Sequence, residues 1–431
     1  MEGKGSMMLK DITAMLVHYS DQALLHKALI SLKVLGSRLK SVIVVQEESN
    51  PINIEGLDCV QFIPIESNNL GETLNHTIYQ LTSSYVLFLQ DTDYLTPKIS
   101  IESLQLTDPQ TVLGTHYHNR STVIDRPLLV RTAFLKKEPF LSNLHLPFKE
   151  AFFSAWLSNI APSLKLFKEG LVKQARKNSS THTIEKLKMI EKYQLEKNKT
   201  EQPTIAILIA NFNMEKYVQI AVTSCLLQRE QVEQILIMDD GSTDKSYQQL
   251  QQWADGEQVK VFNKRNEGKA KALNDLLPHV MTDFILELDA DDWLDPDAVY
   301  VIKQYLSTLK KEVAVMYGNL RKWKQLEGDV HFKGVNKGVA INSRADLLSY
   351  RFPLGPRIYR TSSLKREGGF PVVAFESGRL YEDVSVLHRL IKKFKFCYHD
   401  FTVYNVREHN ESITKTSDAK WNDFLKTLKD D

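Results

Sequence analysis

Two clusters of aspartates carry the most suggestive chemistry in this chain. Asp239-Asp240-Gly241-Ser242-Thr243-Asp244 follows the apolar run Ile235 to Met238, and Asp289-Ala290-Asp291-Asp292 follows Phe284 to Leu288. Carboxylates at alternate positions, such as Asp289 and Asp291, can offer oxygen ligands to a hard cation, Mg²⁺ or Mn²⁺, which keeps some waters and bridges to substrate phosphates. Beside a diphosphate such a pair needs the metal, because two unit charges about 4 Å apart interact by roughly 4 kcal/mol at an effective dielectric of 20. Taken alone, Asp-Asp-Gly-Ser reads equally as a tight turn or helix cap. A second acidic cluster in register weakens that plainer reading. Asn266-Glu267-Gly268-Lys269-Ala270-Lys271 follows the run Val259 to Phe262 and opens a helical pattern through Leu273, Leu276 and Leu277. Backbone donors at a helix N-terminus, with Lys269 and Lys271 nearby, can hold an anion. Both lysines read equally well as solvated surface charges.

These groups need a frame that gathers them. Short β-branched runs alternate with helical patterns, which argues for strand–helix–strand units and a largely parallel sheet. In open parallel sheets ligands bind outside the carboxyl ends of the strands. Asn211-Phe212-Asn213, Asp239, Asp240 and the Asp289 cluster all fall at such ends.

The pattern occurs twice. Met15-Leu16-Val17 ends at His18-Tyr19-Ser20, Val42 to Val45 leads into Gln46-Glu47-Glu48-Ser49, and Tyr85 to Leu89 leads into Asp91-Thr92-Asp93. The offset drifts from 193 residues between Ser49 and Ser242 to 198 between Asp91 and Asp289, as expected of a duplicated domain that gained short insertions. The expected fold class is therefore α/β, with two tandem Rossmann-like domains whose mostly parallel sheets are flanked by helices. The expected boundaries are a degenerate domain over 1–180, a helical linker over 181–202 carrying Ile184, Leu187, Ile190 and Leu195, and a catalytic domain over 203–431. Trp421, Phe424, Leu425 and Leu428 predict a last helix that docks one apolar face.

A length of 431 residues with 42% hydrophobic and 25% charged residues suits two globular domains with real cores. The net charge of +2 comes without a basic tract, so no nucleic acid is expected as partner. Cys59, Cys225 and Cys397 are too scattered for a disulfide framework or a zinc cluster. Met1 to Gly5 opens no long apolar leader, and no run reaches the roughly 18 apolar residues needed to span a bilayer. The expectation is a cytoplasmic protein with no transmembrane segment, whose membrane contact, if any, is peripheral and made through its substrate. A homo-oligomer is left open.

The ordered set of motifs resembles glycosyltransferase family 2, inverting nucleotide-sugar transferases with the GT-A fold, over residues 203 to about 415. Ile209-Ala210-Asn211-Phe212-Asn213 stands at the family's opening strand end, with Ala210 and Asn211 replacing its proline and threonine. Asp239-Asp240-Gly241-Ser242-Thr243-Asp244 matches Asp-Asp-Gly-Ser-x-Asp, which implies contact with the base and ribose. Asn266-Glu267-Gly268 matches Asn-x-Gly, and Leu288-Asp289-Ala290-Asp291-Asp292 matches the D-x-D motif, implying ribose contact by Asp289 and metal ligation by Asp291. Tyr381-Glu382-Asp383-Val384 resembles the family's Glu-Asp helix. The resemblance makes Asp383 the general base, with Glu382 beside it; the plainer reading is a pair of acids capping a helix. Tyr404 to Ser412 resembles the late Arg-x-x-His-x-x-Ser stretch, which gives His409 a place at the metal or the diphosphate. The implied donor is a nucleotide-diphosphate sugar, with UDP-sugar the first choice, and the implied acceptor is a hydroxyl on a glycan, lipid-linked or protein-linked substrate.

The first copy departs where it matters. Gln46-Glu47-Glu48 replaces the paired aspartates, Glu72 stands in place of Lys269, and Glu150-Ala151 falls where Glu382-Asp383 does, so the base is missing. Two other readings are open. A nucleotidyltransferase shares the sheet and the metal-binding acids but lacks an early Gly-rich phosphate loop here, and a non-catalytic sugar-nucleotide-binding protein would not keep base, metal ligand and nucleotide residues together.

Overall fold

The structure is a computed structural model, described for residues 10–47, 60–100, 102–119, 121–175, 180–197, 199–349, 354–373, 375, 381–409 and 420–427. Glu48, Ser49, Cys59, Asn410 to Ser412 and Leu428 lie outside the described residues. The chain divides into two compact units, Met1–Gln194 and Leu195–Asp431.

In the first unit, β1 (Ile12–Val17), α1 (Gln22–Ser31), β2 (Leu39–Gln46), β3 (Val60–Pro64), α2 (Leu70–Gln80) and β4 (Tyr85–Gln90) build a parallel half-sheet in the order β3-β2-β1-β4. After β5 (Asp93–Leu95), the sheet is extended by β6 (Val112–Asn119), β7 (Thr122–Arg131) and, past α3 (Thr132–Lys137) and α4 (Phe152–Ser158), β8 (Lys165–Phe167). β7 joins β4 antiparallel, β6 joins β7 antiparallel, and β8 runs parallel to β6. A separate ribbon pairs β5 with β9 (Val172–Gln174), and α5 (Thr181–Glu191) follows.

α5 is the segment expected to be a linker. Instead it belongs to the first unit. Its apolar stripe, Leu187 and Ile190, is buried, Glu191 accepts from the Val123 backbone at 2.9 Å, and Gln194 Nε2 donates to the Val123 carbonyl at 2.7 Å. The amphipathic pattern forms a helix over Thr181–Glu191 whose apolar face lies against β7.

The second unit repeats the order. β10 (Ile205–Asn211), α6 (Val218–Leu226), β11 (Gln234–Asp239), α7 (Ser246–Gln251), β12 (Val259–Asn263), α8 (Lys269–Leu276) and β13 (Phe284–Glu287) give a parallel half-sheet ordered β12-β11-β10-β13. Next come β14 (Trp293–Leu294), α9 (Ala298–Leu306), β15 (Val313–Leu326), β16 (Asp329–Asn336), α10 (Arg344–Ser349), β17 (Ile358–Arg360), α11 (Thr361–Arg366), α12 (Glu382–Ile391), β18 (Lys395–Glu408) and α13 (Trp421–Thr427). β17 joins β13 antiparallel, β15 joins β17 antiparallel, and β18 runs parallel to β15 and antiparallel to β14. The central strands are apolar on both faces because both are covered. Ile205, Ile207 and Ile209 enter one core and Ala206 and Leu208 the other.

Smaller features recur between the units. Asn75 and Phe140 exchange two hydrogen bonds, Nδ2 to carbonyl at 2.8 Å and N–H to Oδ1 at 2.9 Å. Asn274 and Phe370 do the same at 2.7 and 2.8 Å. Arg131 and Arg360, each closing the antiparallel strand next to the parallel set, both turn a guanidinium Nε onto a backbone carbonyl, Gln110 and Val313.

Candidate active site

The loops after β10, β11 and β12 interlock. Asp239 is fully buried at the end of β11 and accepts from Asn211 Nδ2 at 2.7 Å, Ser242 Oγ at 2.6 Å and the Ser242 N–H at 3.0 Å. Asp240 accepts from the backbone of Glu267 at 3.0 Å and of Gly268 at 2.7 Å. Asn213, in the left-handed region at φ 55°, accepts from the Thr243 N–H at 2.7 Å and donates its own N–H to Ser242 Oγ at 2.8 Å. These hydrogen bonds give both aspartates partners within the loops, which is the turn-and-cap role weighed beside the nucleotide role. Asn211 Oδ1 is different: it is buried with no protein partner. Gly241 sits at φ +72°, and a Cβ there would stand 2.7 Å from the Asn266 backbone N. Glycine is therefore what allows the β11 turn to lie against the loop carrying Asn266.

Gly268, at φ +96°, caps α8 and hands Lys269 inward. Lys269 Nζ reaches Asp289 Oδ1 at 2.5 Å, Glu287 Oε1 at 2.9 Å and Glu382 Oε1 at 3.5 Å. Burial alone would favour its neutral form, but those three carboxylates win and hold its pKa well above the ordinary lysine value. Lys271, the second lysine expected to face an anion, turns instead to Glu267, two residues before the start of α8, at 3.0 Å in a solvent-exposed i,i+4 pair.

Glu287, the last residue of β13, is almost wholly buried and takes a bidentate pair from Arg357, Nε and Nη2 both at 2.9 Å, plus the Tyr359 hydroxyl at 3.1 Å. Burial opposes its ionisation, yet Arg357 and Lys269 hold the carboxyl well below the usual range. Arg357 Nη1 also lies 3.5 Å from Asp383 Oδ2. Asp383 is the second residue of α12 and holds the Val384 N–H at 2.8 Å through Oδ1. Glu382 is pushed up to about 7 by burial, against the pull of Lys269 and with the help of Asp383.

On the other side, His409 Nε2 lies 2.9 Å from Asp291 Oδ2. Arg407 braces that pair: its Nε donates to the Asp291 carbonyl at 2.8 Å and its N–H to Asp292 Oδ1 at 2.8 Å. Its guanidinium lies 4.8 Å from the Tyr217 ring centre and 4.7 Å from that of Trp293. Burial lowers the Arg407 pKa to about 10. Burial, then Asp291 and Asp289, raises that of Asp292 well above the carboxylate range. Tyr217 stacks near His409, ring centres 4.9 Å apart, and helps line a cavity of about 180 Å³ with Asn213, Glu215 and Asp244.

The expected metal can be tested against this donor set. Two ligands at neighbouring corners of an octahedron with bonds of about 2.0–2.1 Å are separated by roughly 2.9 Å. The Asp291–His409 spacing of 2.9 Å fits that edge, and one carboxylate and one imidazole suit Mn²⁺ or Mg²⁺ completed by waters and phosphate oxygens. Among the described residues no group of three or more His, Cys, Asp and Glu is placed to hold a metal alone. The remaining ligands would have to come from substrate and solvent.

Residues 206–351 match the model of glycosyl transferase family 2. They form a domain of that family. The family 2 domain falls within the second unit and covers β10 through α10. The chain is 24% identical over 228 residues to the glycosyltransferase GlyG of Streptococcus pneumoniae, covering 50% of this chain and 75% of that protein. It is 34% identical over 119 residues to an uncharacterized glycosyltransferase of Haemophilus influenzae, covering 27% and 47%, and 32% identical over 117 residues to the chondroitin synthase of Pasteurella multocida, covering 27% and 12%. The chain thus spans under half the length of the latter two. Among solved structures it is similar to TarS 1–349 of S. aureus in complex with UDP, 18% identical, TM-score 0.37, covering 48% of this chain and 60% of that one.

Of the residues expected at the site, Lys269, Asp289, Glu382 and Asp383 meet around Glu287 and Arg357, while Asp291 and His409 meet beside Arg407. Asn211, Asn213, Asp239, Asp240, Asn266 and Gly268 shape the adjoining loops. Sequence reasoning missed Glu287, Arg357, Tyr217 and the bracing role of Arg407. Glu287 had a signal: a carboxylate inside the apolar run Phe284 to Leu288 must be paired if that strand is buried.

Proposed function

We propose that this chain is a metal-dependent inverting glycosyltransferase that moves a sugar from a nucleotide-diphosphate donor to an acceptor hydroxyl. The reading is supported by Asp289 and Asp291 at the carboxyl end of β13 within the matched family 2 residues, with Asp383 beside Arg357 and His409 beside Asp291 contributed by the chain that follows them. Asp383 keeps Oδ2 facing the site beside Arg357 and takes the proton of the acceptor O–H as that oxygen attacks the anomeric carbon. The bond from that carbon to the diphosphate oxygen breaks on the opposite face, and the diphosphate leaves with the electron pair. Asp291 and His409 would hold Mn²⁺ or Mg²⁺, which when bound neutralises charge on the leaving diphosphate. Lys269 and Arg357 supply fixed positive charge near Asp289, and the unpartnered Asn211 Oδ1 offers an acceptor to the nucleoside. The half-buried Glu382, with its pKa raised to about 7, keeps part of its proton near neutrality and so lowers the negative charge beside Asp383.

The first unit is proposed to be a duplicated copy without turnover. The shared strand order and the matching Asn75–Phe140 and Asn274–Phe370 pairs support the duplication. UDP-sugar is the proposed donor, and the acceptor is a glycan, lipid-linked or protein-linked hydroxyl. A thermal-shift series with UDP-, GDP- and dTDP-sugars plus Mn²⁺ tests the proposal: one donor at 100 times its Kd should stabilise by roughly 2.7 kcal/mol. No shift with any of them would overturn it.

A further inference from the structure

Glu382 and Asp383 open α12, and the two ends of that helix are held by different means. Its body is anchored in the core, where Val386, Leu387 and Leu390 are at most 1% exposed. Its first turn is not, since Tyr381, Glu382, Asp383 and Val384 are only half-buried. Arg357 Nη1 lies 3.5 Å from Asp383 Oδ2, outside the roughly 2.7–3.2 Å of a normal N–H···O bond. Arg357 therefore sets the charge beside that carboxylate rather than its direction. The direction is set by where the helix begins.

It begins at Tyr381, which takes the left-handed region at φ 61° and ψ 25° and caps α12 without a side-chain hydrogen bond. A bulky side chain rarely adopts that conformation, and it persists only where the surroundings over-determine it. The Tyr381 carbonyl accepts from the Ser385 N–H at 2.9 Å and from Ser385 Oγ at 2.8 Å. The Tyr381 ring is gripped by α13. Phe424, fully buried, stacks on it with centres 4.5 Å apart and planes 28° apart. Trp421 meets it edge-on at 5.3 Å, and Phe375 closes the cluster, 6.0 Å from Tyr381 and 5.6 Å from Phe424. Aromatic pairs prefer offset-stacked or edge-on arrangements, so such a cluster fixes orientation as well as distance. Asp423 and Lys426 of α13 pair with each other at 2.7 Å in solvent; the helix meets Tyr381 through its rings.

We infer, given Asp383 as the base proposed above, that α13 is a positioning element for the reaction. The Phe424–Tyr381 stack, with Trp421 beside it, fixes the first turn of α12 and so aims Asp383 at the acceptor oxygen.

The test is the single-turnover rate constant of the full chain, which does not depend on the fraction of enzyme that is folded. The probes are UDP-glucose, GDP-mannose and dTDP-glucose with Mn²⁺, hydrolysed with water as acceptor. A misplacement on the order of 1 Å can cost about 10²-fold, so Phe424→Ala should slow the rate constant roughly ten- to a hundredfold while the donor Kd from calorimetry stays unchanged. Phe424→Tyr should restore the rate. In an Asp383→Asn background Phe424→Ala should cost nothing further, because the stack acts through Asp383, whereas a structural defect would slow both backgrounds alike. Trp421→Ala, at the half-buried edge of the cluster, should slow hydrolysis in the same way and serves if Phe424→Ala does not fold. An unchanged rate constant in Phe424→Ala or, where that variant does not fold, in Trp421→Ala would overturn the inference. So would donor affinity falling as far as the rate, or equal slowing in the Asp383→Asn background. No turnover of any of the three sugar nucleotides, or normal turnover by Asp383→Asn, would strike the proposed function itself and the inference with it.

Discussion

His409 and Asp291 lie 118 residues apart in the chain and 2.9 Å apart in space, closing the edge of a donor set across β13 and β18. If they hold the divalent ion, Asp291→Ala and His409→Ala should each reduce nucleotide-sugar affinity at least tenfold in Mn²⁺, and EDTA should do the same to the unaltered protein. Titration calorimetry showing one affinity in all three cases would refute the metal site.

Asp383→Asn preserves size and the cap on Val384 but cannot accept a proton. Donor affinity should persist while transfer falls by about 10²- to 10⁴-fold. Single-turnover assays that find normal transfer in this variant would remove Asp383 from its role.

Glu287 neutralises two buried cations at once. Glu287→Gln leaves Arg357 and Lys269 short of a counter-charge, and breaking a buried pair in this way typically costs about 3–5 kcal/mol. Urea unfolding should show that loss in the second unit; a midpoint within error of the unaltered protein would mean the network is slack.

Glu382 gives a pH signature. Its folded pKa of about 7 lies above the ordinary 4.5, so the folded state binds the extra proton between those values. Stability from this group is complete below about pH 4.5 and is lost as pH rises through 7. Glu382→Gln should flatten that decline and melt about 2 °C or more above the unaltered protein at pH 8, given the roughly 2–4 °C that each kcal/mol yields in a domain of this size. Parallel melting curves across pH 5–8 would contradict the assignment.

Strand ends and helix patterns were legible because burial on two faces forces continuous apolar runs, as in Ile205 to Ile209, and because Gly241 and Gly268 mark turns that need positive φ. The acids of the site were legible for the same reason, since they follow those runs directly. What escaped was pairing at long range. Nothing local tells that Lys269 turns inward while Lys271, two residues on, turns out. The helix over 181–191 showed its apolar stripe but not the surface that takes it. Arg357 and Arg407 look like any other arginines until Glu287 and Asp291 are placed beside them.

The long strand β18 also sets a clock. During synthesis the parallel half-sheet and Asp291 can be in place while His409 is still unmade. At roughly 5–20 residues per second, the 118 intervening residues take on the order of 6–24 s. Through that interval the nascent chain carries an aspartate cluster without its imidazole partner, and Arg407, which would brace it, arrives only two residues earlier. A ribosome-bound chain stopped before residue 407 should therefore be unable to capture a nucleotide sugar, so capacity to react arises only after most of the sheet has been laid down.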